Sequence, residues 1–404
     1  MVKVAGSSRS WALLGALAAF AAAPPIGCMP DPGTGDGGGI YADTAVAATA
    51  EDVLAQVGPG VIAPALARAR ADHGALRGAL DAWAAAPTDA AAQAEAQAAF
   101  AAALGAWQAL EPMQVGPAGS SLTVAGGEDR RDAIYSWPSI NPCRVDQVTA
   151  EGDYAAPDFF SANLVHVYGY DTLEHLLWAG PDNVCPGQVA INADGTWDAL
   201  GAAGVAERRA AYAQVVAEGI DAQLAALEAA WGPDGAWSAA LAGGPGTPYA
   251  DTQSALNAVF VALFYLETTA KDRKLLQPLG GKDCGAEACP EDLEALPSGL
   301  GAAFLAANLR GFRALFTGGD GVGLDDLLTE LGHGDLAAKI LADTDAALAL
   351  ADAIDTPLVT LLETDRAQVQ ALHDAVKAVC DDLKGDLATV LSLQVPADAA
   401  GDND

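Results

Sequence analysis

Basic residues are scarce in this chain of 404 residues. Lys and Arg together number 20, whereas Asp and Glu number 53, which gives a formal net charge of −33 at pH 7. A surface of this kind repels the phosphates of nucleic acids and of anionic lipid head groups. We therefore expect no nucleic-acid partner and no basic face that would hold the protein on a membrane.

Aromatic residues are also few. They make up 6% of the sequence although 51% of it is hydrophobic, because alanine supplies much of the hydrophobic fraction. Alanine is the strongest helix former, and the residues that favour strands are thinly represented. The composition therefore predicts an all-α protein.

The apolar run near the N-terminus, Trp11 to Ala23, is too short to span a bilayer comfortably. It follows the basic residues Lys3 and Arg9, as in a cleavable export signal. The run leads into Pro-Ile-Gly-Cys, which resembles the lipobox that precedes the lipidated cysteine of bacterial lipoproteins. We predict a lipoprotein signal peptide over residues 1–27.

Lipidation is accordingly predicted at Cys28, followed by a flexible tether over residues 28–44 that is rich in Pro and Gly. The lipid would be the only contact with a membrane. Met29 stands where an aspartate often retains lipoproteins in the inner membrane, which favours the outer membrane. The predicted location is the cell envelope, facing the periplasm.

Apolar residues recur at steps of three and four over most of the remaining chain, which is typical of amphipathic helices. The regular stretches are separated by short loops with Gly and Pro, as in antiparallel bundles. Among them we predict single helices over Asp158–Leu177 and over Pro357–Leu393. We predict two tandem four-helix-type bundles, over residues 45–200 and 201–395, and an acidic tail over residues 396–404.

Cysteine use agrees with an exported protein, in which disulfides form readily. Cys284 and Cys289 bracket a short loop and form a natural local pair, and Cys143 and Cys185 stand at the two ends of a helical stretch. Cys380 falls in a helical pattern and is expected to be a small buried residue. A zinc site is a poor alternative, because the sequence has no CxxC.

One segment concentrates polar side chains on an otherwise apolar helix. It reads Gly-Tyr-Asp-Thr-Leu-Glu-His-Leu-Leu-Trp from Gly169, and Asp171 shares a helix face with Glu174 and His175. Such groups are costly to bury unless they are paired or bind a cation. The segment predicts half of a metal site. The alternative is that Asp171 caps the helix or forms an ion pair and that His175 is partly exposed.

Motifs of familiar hydrolases are absent. The sequence contains no HExxH of the common zinc proteases and no G-x-S-x-G elbow for a serine nucleophile. The predicted cysteine pairs leave no obvious thiolate with an orienting histidine. These absences favour a binding protein over an enzyme.

The polar segment resembles the GxHxxE motif of the imelysin family, which is also classified as peptidase family M75. Gly169 and Glu174 match this motif, and Asp171 stands where most members have histidine. Further resemblances follow the family's order from about residue 45 to the C-terminus: Trp107 with Glu111, Trp137 with Pro138, Lys274 to Gly280, and Leu293 to Ser298 with Asn308.

The resemblance implies two linked helical bundles in the bacterial envelope, a motif helix at their interface and an association with iron acquisition. It also implies a set of neighbours of the binding site, namely Gly169, Glu111, Trp137, Lys274, Glu294 and Ser298. Aspartate in place of histidine favours the binding of hard cations or ferric iron at the site. His175 is expected to act as a further ligand, one turn from Asp171.

We therefore predict a lipid-anchored protein that binds iron, another divalent or trivalent cation or a small iron-bearing ligand. The ligands would be Asp171, Glu174 and His175, in a groove between the bundles. Two alternatives remain open. One is a metallopeptidase of the M75 type. The other is a structural or interaction module in which the motif fixes bundle packing through buried hydrogen bonds.

Overall fold

Helices make up the regular structure of the chain. The computed structural model describes residues 48–123, 126–397 and 399–400, and within these ranges it has helices and no strand. The prediction of an all-α protein is confirmed. Cys28, with the predicted signal peptide and tether around it, lies outside the described residues. In the described part of the chain, no helix has the length and apolar character needed to cross a bilayer.

The α-helices are α1 (Ala50–Gln56), α2 (Ala63–Ala85), α3 (Ala90–Leu110), α4 (Arg130–Ile134), α5 (Pro142–Glu151), α6 (Phe159–Ala162), α7 (Tyr170–Trp178), α8 (Ala190–Ala193), α9 (Thr196–Trp231), α10 (Ala236–Ala240), α11 (Thr252–Leu263), α12 (Gly301–Thr317), α13 (Leu324–Glu330), α14 (Gly334–Asp352), α15 (Leu358–Thr364), α16 (Arg366–Asp382) and α17 (Ala388–Val390). π-Helical segments cover Val57–Ile62, Leu266–Leu276 and Leu383–Leu387.

Local sequence accounts for several of these boundaries. Asp89 caps α3, because its side chain accepts a hydrogen bond from the Ala91 amide at 2.9 Å. The stripe of Phe100 and Trp107 along this helix is fully buried. Pro59, which has no amide hydrogen, lies in the π-helical segment between α1 and α2, where the regular α-helical hydrogen bonding is interrupted.

The first group of helices consists of α2, α3, α7 and α9, which pack around a common core. Most of α9 lies beyond residue 200, where the first bundle was predicted to end, and yet it packs against α2 and α7. The chain kinks at Gly201, whose backbone is not helical, and then continues to Trp231. The packing therefore extends the first group to about Trp231.

The second group consists of α12, α14, α16 and the π-helical segment Leu266–Leu276. It meets the first group where α12 crosses α3. Gly311 permits this close approach, because a Cβ atom at that position would lie 1.9 Å from the carbonyl oxygen of Ala109. All of the described residues belong to one compact unit.

Two long helices predicted from periodicity are interrupted in the structure. The predicted helix Asp158–Leu177 is divided into α6 and α7, because Asn163 and Leu164 have an extended backbone. Gly169, just before α7, adopts φ +101°, a conformation that an L-residue rarely takes. The predicted helix Pro357–Leu393 is divided at Asp365, whose backbone leaves the helical region. Apolar spacing continues across both interruptions, so the sequence period alone does not reveal them.

Both predicted disulfides are present. Cys143 on α5 is bonded to Cys185, and Cys284 is bonded to Cys289. Cys380 is a free thiol buried in α16, as predicted. The Cys143–Cys185 bond ties α5 to the segment after α7, and so it borders the region that carries the polar motif.

Candidate ligand site

The polar motif begins with a glycine that creates room for a carboxylate. A Cβ atom on Gly169 would lie 2.9 Å from Oδ1 of Asp171 and 3.0 Å from the carbonyl oxygen of Ile134. Gly169 also has the positive φ that the chain needs in order to enter α7. The glycine of the motif therefore positions Asp171 in the first turn of the helix.

Asp171 and Glu174 are both buried, with 3% and 6% of their surface exposed. The Ser136 hydroxyl donates to Oδ2 of Asp171 at 2.6 Å, and the Thr172 amide donates to Oδ1 at 3.1 Å. The backbone amide of Ser298 donates to Oε1 of Glu174 at 3.0 Å. These donors are neutral, and within the described chain neither carboxylate has a Lys, Arg or His at ion-pair distance.

Burial without a cationic partner makes both groups weaker acids. Desolvation raises the pKa of Asp171 to about 6, against the opposing effect of the Ser136 hydrogen bond. Desolvation likewise raises the pKa of Glu174 to about 7, and the nearby charges of Glu294 and Asp171 add to the rise. Each carboxylate therefore has a negative charge near neutral pH that its surroundings do not fully stabilise.

The two carboxylates line a cleft of about 550 Å³. Its other walls come from the loop at Trp137, from the helical end at Arg273 and Gln277, and from the loop that leads to α12. The acidic side chains in the lining outnumber its single arginine; the acidic members are Asp171, Glu174, Asp283, Glu291 and Asp292. The cleft therefore offers a negative environment to a ligand.

His175 lines the same cleft, but one of its nitrogens faces the protein. Its Nε2 atom lies 2.9 Å from Oδ1 of Asp146 on α5. Asp146 is fully buried and also accepts hydrogen bonds from the Val184 amide at 2.9 Å and from Arg209 at 3.5 Å. Of the two ring nitrogens, only Nδ1 is left for a ligand. The pair also ties α7 to α5.

Glu111 lies behind the cleft rather than in its lining. Its fully buried carboxylate accepts a hydrogen bond from Trp107 Nε1 at 2.5 Å. Arg131 donates to Oε2 of Glu111 through Nε at 3.1 Å and through Nη2 at 3.0 Å. This bidentate arrangement neutralises the charge of Glu111.

Lys274 and Glu294 form a second buried ion pair, with 2.8 Å between Nζ and Oε2. Lys274 also donates to Gln108 at 2.9 Å and to Asn308 at 2.8 Å. Glu294 accepts further hydrogen bonds from Gln108 at 2.9 Å and from the Tyr135 hydroxyl at 2.7 Å. Burial lowers the pKa of Lys274, although the charge of Glu294 opposes this effect. This network joins α3, α12 and the π-helical segment.

The site residues expected from the sequence therefore fall into two sets. Asp171, Glu174, His175 and Trp137 line the cleft, and Gly169 and Ser298 support them through the backbone. The others form the ion pairs behind it, namely Glu111, Lys274 and Glu294.

Sequence reasoning did not assign Ser136, Asp146 or Arg131 to the site. Ser136 directly precedes Trp137, which was the only signal for it. Asp146 and Arg131 lack any local signal, since their partners lie far along the chain. Throughout the described ranges, no group of three His, Cys, Asp or Glu side chains is close enough to hold a metal ion.

Two linked helical groups and a Gly-x-Asp-x-x-Glu helix that faces a cleft agree with the fold of the family that the motif resembles. The profile of the imelysin family, peptidase M75, matches residues 62–384. The chain belongs to the imelysin family. No curated protein matches it.

Two solved structures share the fold. One is an imelysin-like protein from Psychrobacter arcticum 273-4, with 22% identity and a TM-score of 0.67 over 86% of this chain and 98% of that one. The other is a putative iron-regulated protein A precursor from Parabacteroides distasonis ATCC 8503, with 14% identity and a TM-score of 0.64 over 86% of this chain and 96% of that one. At this level of identity, the likeness concerns the fold.

Proposed function

We propose that this protein is a lipid-anchored envelope protein that binds iron, as the ion or as a small chelate, in the acidic cleft. Asp171 and Glu174 are the proposed protein ligands. The observation that carries the proposal is that these two carboxylates are buried in the wall of a cleft with only neutral donors around them. The family membership and the iron-regulated neighbour agree with it.

The physical argument rests on charge. A buried carboxylate without a cationic partner destabilises the protein, and a bound cation removes that cost. Carboxylate oxygens are hard ligands, which suit ferric iron and other hard cations. Water or the donor atoms of a chelator would complete the coordination shell, and a cleft of about 550 Å³ has room for either.

His175 has a narrower role in this proposal than the sequence implied. Because Nε2 faces Asp146, the imidazole can reach a ligand only through Nδ1. A histidine that binds a metal commonly donates its other ring nitrogen to a carboxylate, which fixes the orientation of the ring. Asp146 is placed to act in this way.

Calorimetric titration tests the proposal. The purified protein is titrated with ferric nitrilotriacetate and, without oxygen, with ferrous sulfate. We expect saturable binding of iron by the parent and its loss in the Asp171→Asn/Glu174→Gln variant. The matched control is Glu330→Gln/Asp335→Asn, which removes two exposed charges from α13 and α14 and should bind like the parent.

Three outcomes would contradict the proposal. Equal iron affinity in the parent and the double variant would remove the two carboxylates from the site. Failure of the double variant to fold, with iron binding retained by its folded fraction, would assign them a structural role. Cleavage of a denatured protein substrate that chelators abolish would instead indicate a metallopeptidase.

The location in the cell is the second part of the proposal. Export and lipidation at Cys28 would place the helical domain in the periplasm on a flexible tether. Expression of the full chain in a Gram-negative host, followed by mass spectrometry of the N-terminal peptide and membrane fractionation, tests this. We expect a lipidated Cys28 in the outer-membrane fraction and release of the Cys28→Ser variant; an unmodified parent in the soluble fraction would contradict it.

A further inference from the structure

A second and larger cavity lies beside the acidic cleft. Its volume is about 740 Å³, and Trp137 and Arg273 line both spaces. The cavity is bounded by α11, by the π-helical segment that follows it and by the C-terminal segment Gln394–Ala397. Its volume is within the usual range for binding sites of small organic molecules, roughly 300–1,000 Å³.

The walls of this cavity combine an apolar, aromatic surface with polar residues. Val261, Phe264, Tyr265, Trp137 and Pro396 belong to the apolar part. The polar part includes neutral residues such as Asn257 and Thr268 and one acidic residue, Asp132. Aromatic rings offer flat faces on which a planar ligand can stack. This lining favours an organic ligand with a flat apolar body, in contrast to the acidic cleft next to it.

Two arginines lie in the lining, and they differ in what holds them. Arg131 is committed to the protein, because it donates to Glu111 and also contacts Asp132 at 3.2 Å. Arg273 is exposed at the wall between the two spaces, and among the described residues no carboxylate forms an ion pair with it. In a chain with a net charge of −33, a guanidinium that no described carboxylate pairs with therefore lines this cavity.

The C-terminal segment is held across the cavity by hydrogen bonds to α11. The Gln394 amide donates to the side chain of Asn257 at 2.9 Å. Gln253 donates to the carbonyl oxygens of Leu391 and Ser392 at 3.2 Å. The wall formed by this segment is therefore a fixed part of the cavity.

We infer that this cavity binds a planar aromatic monocarboxylate, with the ring against the aromatic wall and the carboxylate on Arg273. A guanidinium recognises a carboxylate through two parallel hydrogen bonds, and a single free arginine matches a single negative charge. This site goes beyond the proposed iron function. It does not use Asp171 or Glu174, so either assignment can fail without the other.

The experiment uses 2-naphthoate as the probe and 2-naphthamide, which has the same shape without the charge, as its comparison. Binding to the full chain is measured by calorimetry at pH 7.5 and by quenching of tryptophan fluorescence. We expect saturable binding of the carboxylate, with the amide weaker by about tenfold or more, because a charge-assisted hydrogen bond contributes about that factor.

Three variants locate the site. Arg273→Gln should weaken the binding of 2-naphthoate by about tenfold and leave the binding of 2-naphthamide unchanged. Val261→Trp should abolish binding by filling the cavity, with circular dichroism to verify its fold. Arg68→Gln removes a charge from α2 that lines neither space and should bind like the parent.

Binding by the Asp171→Asn/Glu174→Gln variant should equal that of the parent, which separates this site from the acidic cleft. No binding of 2-naphthoate by the folded parent would overturn the inference. So would an Arg273→Gln variant with parent-like affinity, or an amide that binds as tightly as the carboxylate.

Discussion

Buried carboxylates occur in two neighbouring regions of this protein, and the two regions treat them differently. Behind the cleft, Glu111 is neutralised by Arg131 and Glu294 by Lys274. In the cleft, Asp171 and Glu174 are equally buried but have only neutral hydrogen-bond donors. All four side chains are buried carboxylates, so the presence of a cationic partner is what distinguishes the two regions.

The comparison separates buried acids that support the fold from buried acids that are candidate ligands. The paired acids complete a network that joins α3 and α12, and their charge is already balanced by the protein. The unpaired acids face a cleft, and we expect their charge to destabilise the protein unless a cation binds. Burial alone therefore does not identify the candidate ligands of the site, whereas burial without a counter-charge does.

The largest effect on stability is expected when a buried ion pair behind the cleft loses its cation. Lys274→Met leaves Glu294 buried and unpaired, and the free energy of unfolding should fall by about 3–5 kcal/mol. Urea denaturation followed by circular dichroism measures it. The control Lys377→Met removes a lysine whose ion-pair partner, the Asp381 side chain, is 53% exposed, and it should cost no more than about 1 kcal/mol. Equal costs for the two variants would remove the distinction between the regions.

Replacing glutamate by glutamine should affect stability differently in the two regions. Glu294→Gln leaves Lys274 without its partner and should lower the free energy of unfolding by roughly 2–3 kcal/mol. Glu174→Gln replaces an uncompensated charge by a neutral amide and, without metal at pH 8, should leave stability unchanged or raise it. Denaturation of both variants in the presence of a chelator tests this. A Glu174→Gln variant as unstable as Glu294→Gln would contradict the account.

A pH dependence of stability follows from the unpaired acids. In the folded protein the pKa of Asp171 is about 6 and that of Glu174 about 7, above ordinary values of 3.8 and 4.5. At a pH between the ordinary and the raised pKa values, the folded state therefore binds more protons than the unfolded state. The free energy of unfolding should accordingly rise as pH falls through this range. From pH 8 to pH 6, the metal-free parent should gain about 2 kcal/mol relative to Asp171→Asn/Glu174→Gln.

The comparison with the double variant is necessary because another group titrates in the same range. Burial lowers the pKa of His73, so its contribution to stability is lost as pH falls. His73 is present in both proteins, and its effect cancels in the difference. Parallel curves of stability against pH for the parent and the double variant would contradict the raised pKa values.

The smallest effect is expected at a neutral donor. Ser136→Ala removes the hydroxyl that donates to Asp171 at 2.6 Å, and it should cost about 1 kcal/mol of stability at pH 8, where the carboxylate is charged. The cost should shrink at pH 5, where Asp171 is protonated. Ser161→Ala, at an exposed serine of α6, is the control. A cost that does not change with pH would mean that Ser136 does not stabilise the charged carboxylate.

The sequence predicted those parts of the fold that depend on local signals. The all-α fold follows from the composition and from the helical spacing of apolar residues, and the disulfides follow from cysteine spacing. It did not predict the interruption before Gly169 or the one at Asp365, because apolar residues keep a helical spacing across each. Breaks of this kind depend on backbone conformation, which the period of apolar residues does not record.

The sequence predicted which residues form the candidate site better than it predicted how they are arranged. The spacing of Asp171 and Glu174 on one helix identified the acidic couple. The hydrogen-bond donors to these two carboxylates could not be predicted from spacing, since Ser136 is 35 residues from Asp171 and Ser298 is 124 residues from Glu174. The attachment of His175 to Asp146 was missed for the same reason, because only the tertiary fold brings α5 and α7 together.

Anomalous diffraction at the iron absorption edge, on crystals soaked with ferric nitrilotriacetate, tests the central claim most directly. The account predicts a peak in the acidic cleft within ligand distance, about 2.0–2.6 Å, of carboxylate oxygens of both Asp171 and Glu174. It predicts no such peak at Glu111 or Glu294, whose charges the protein already balances. Iron bound at a place that leaves Asp171 and Glu174 without contact to it would contradict the account.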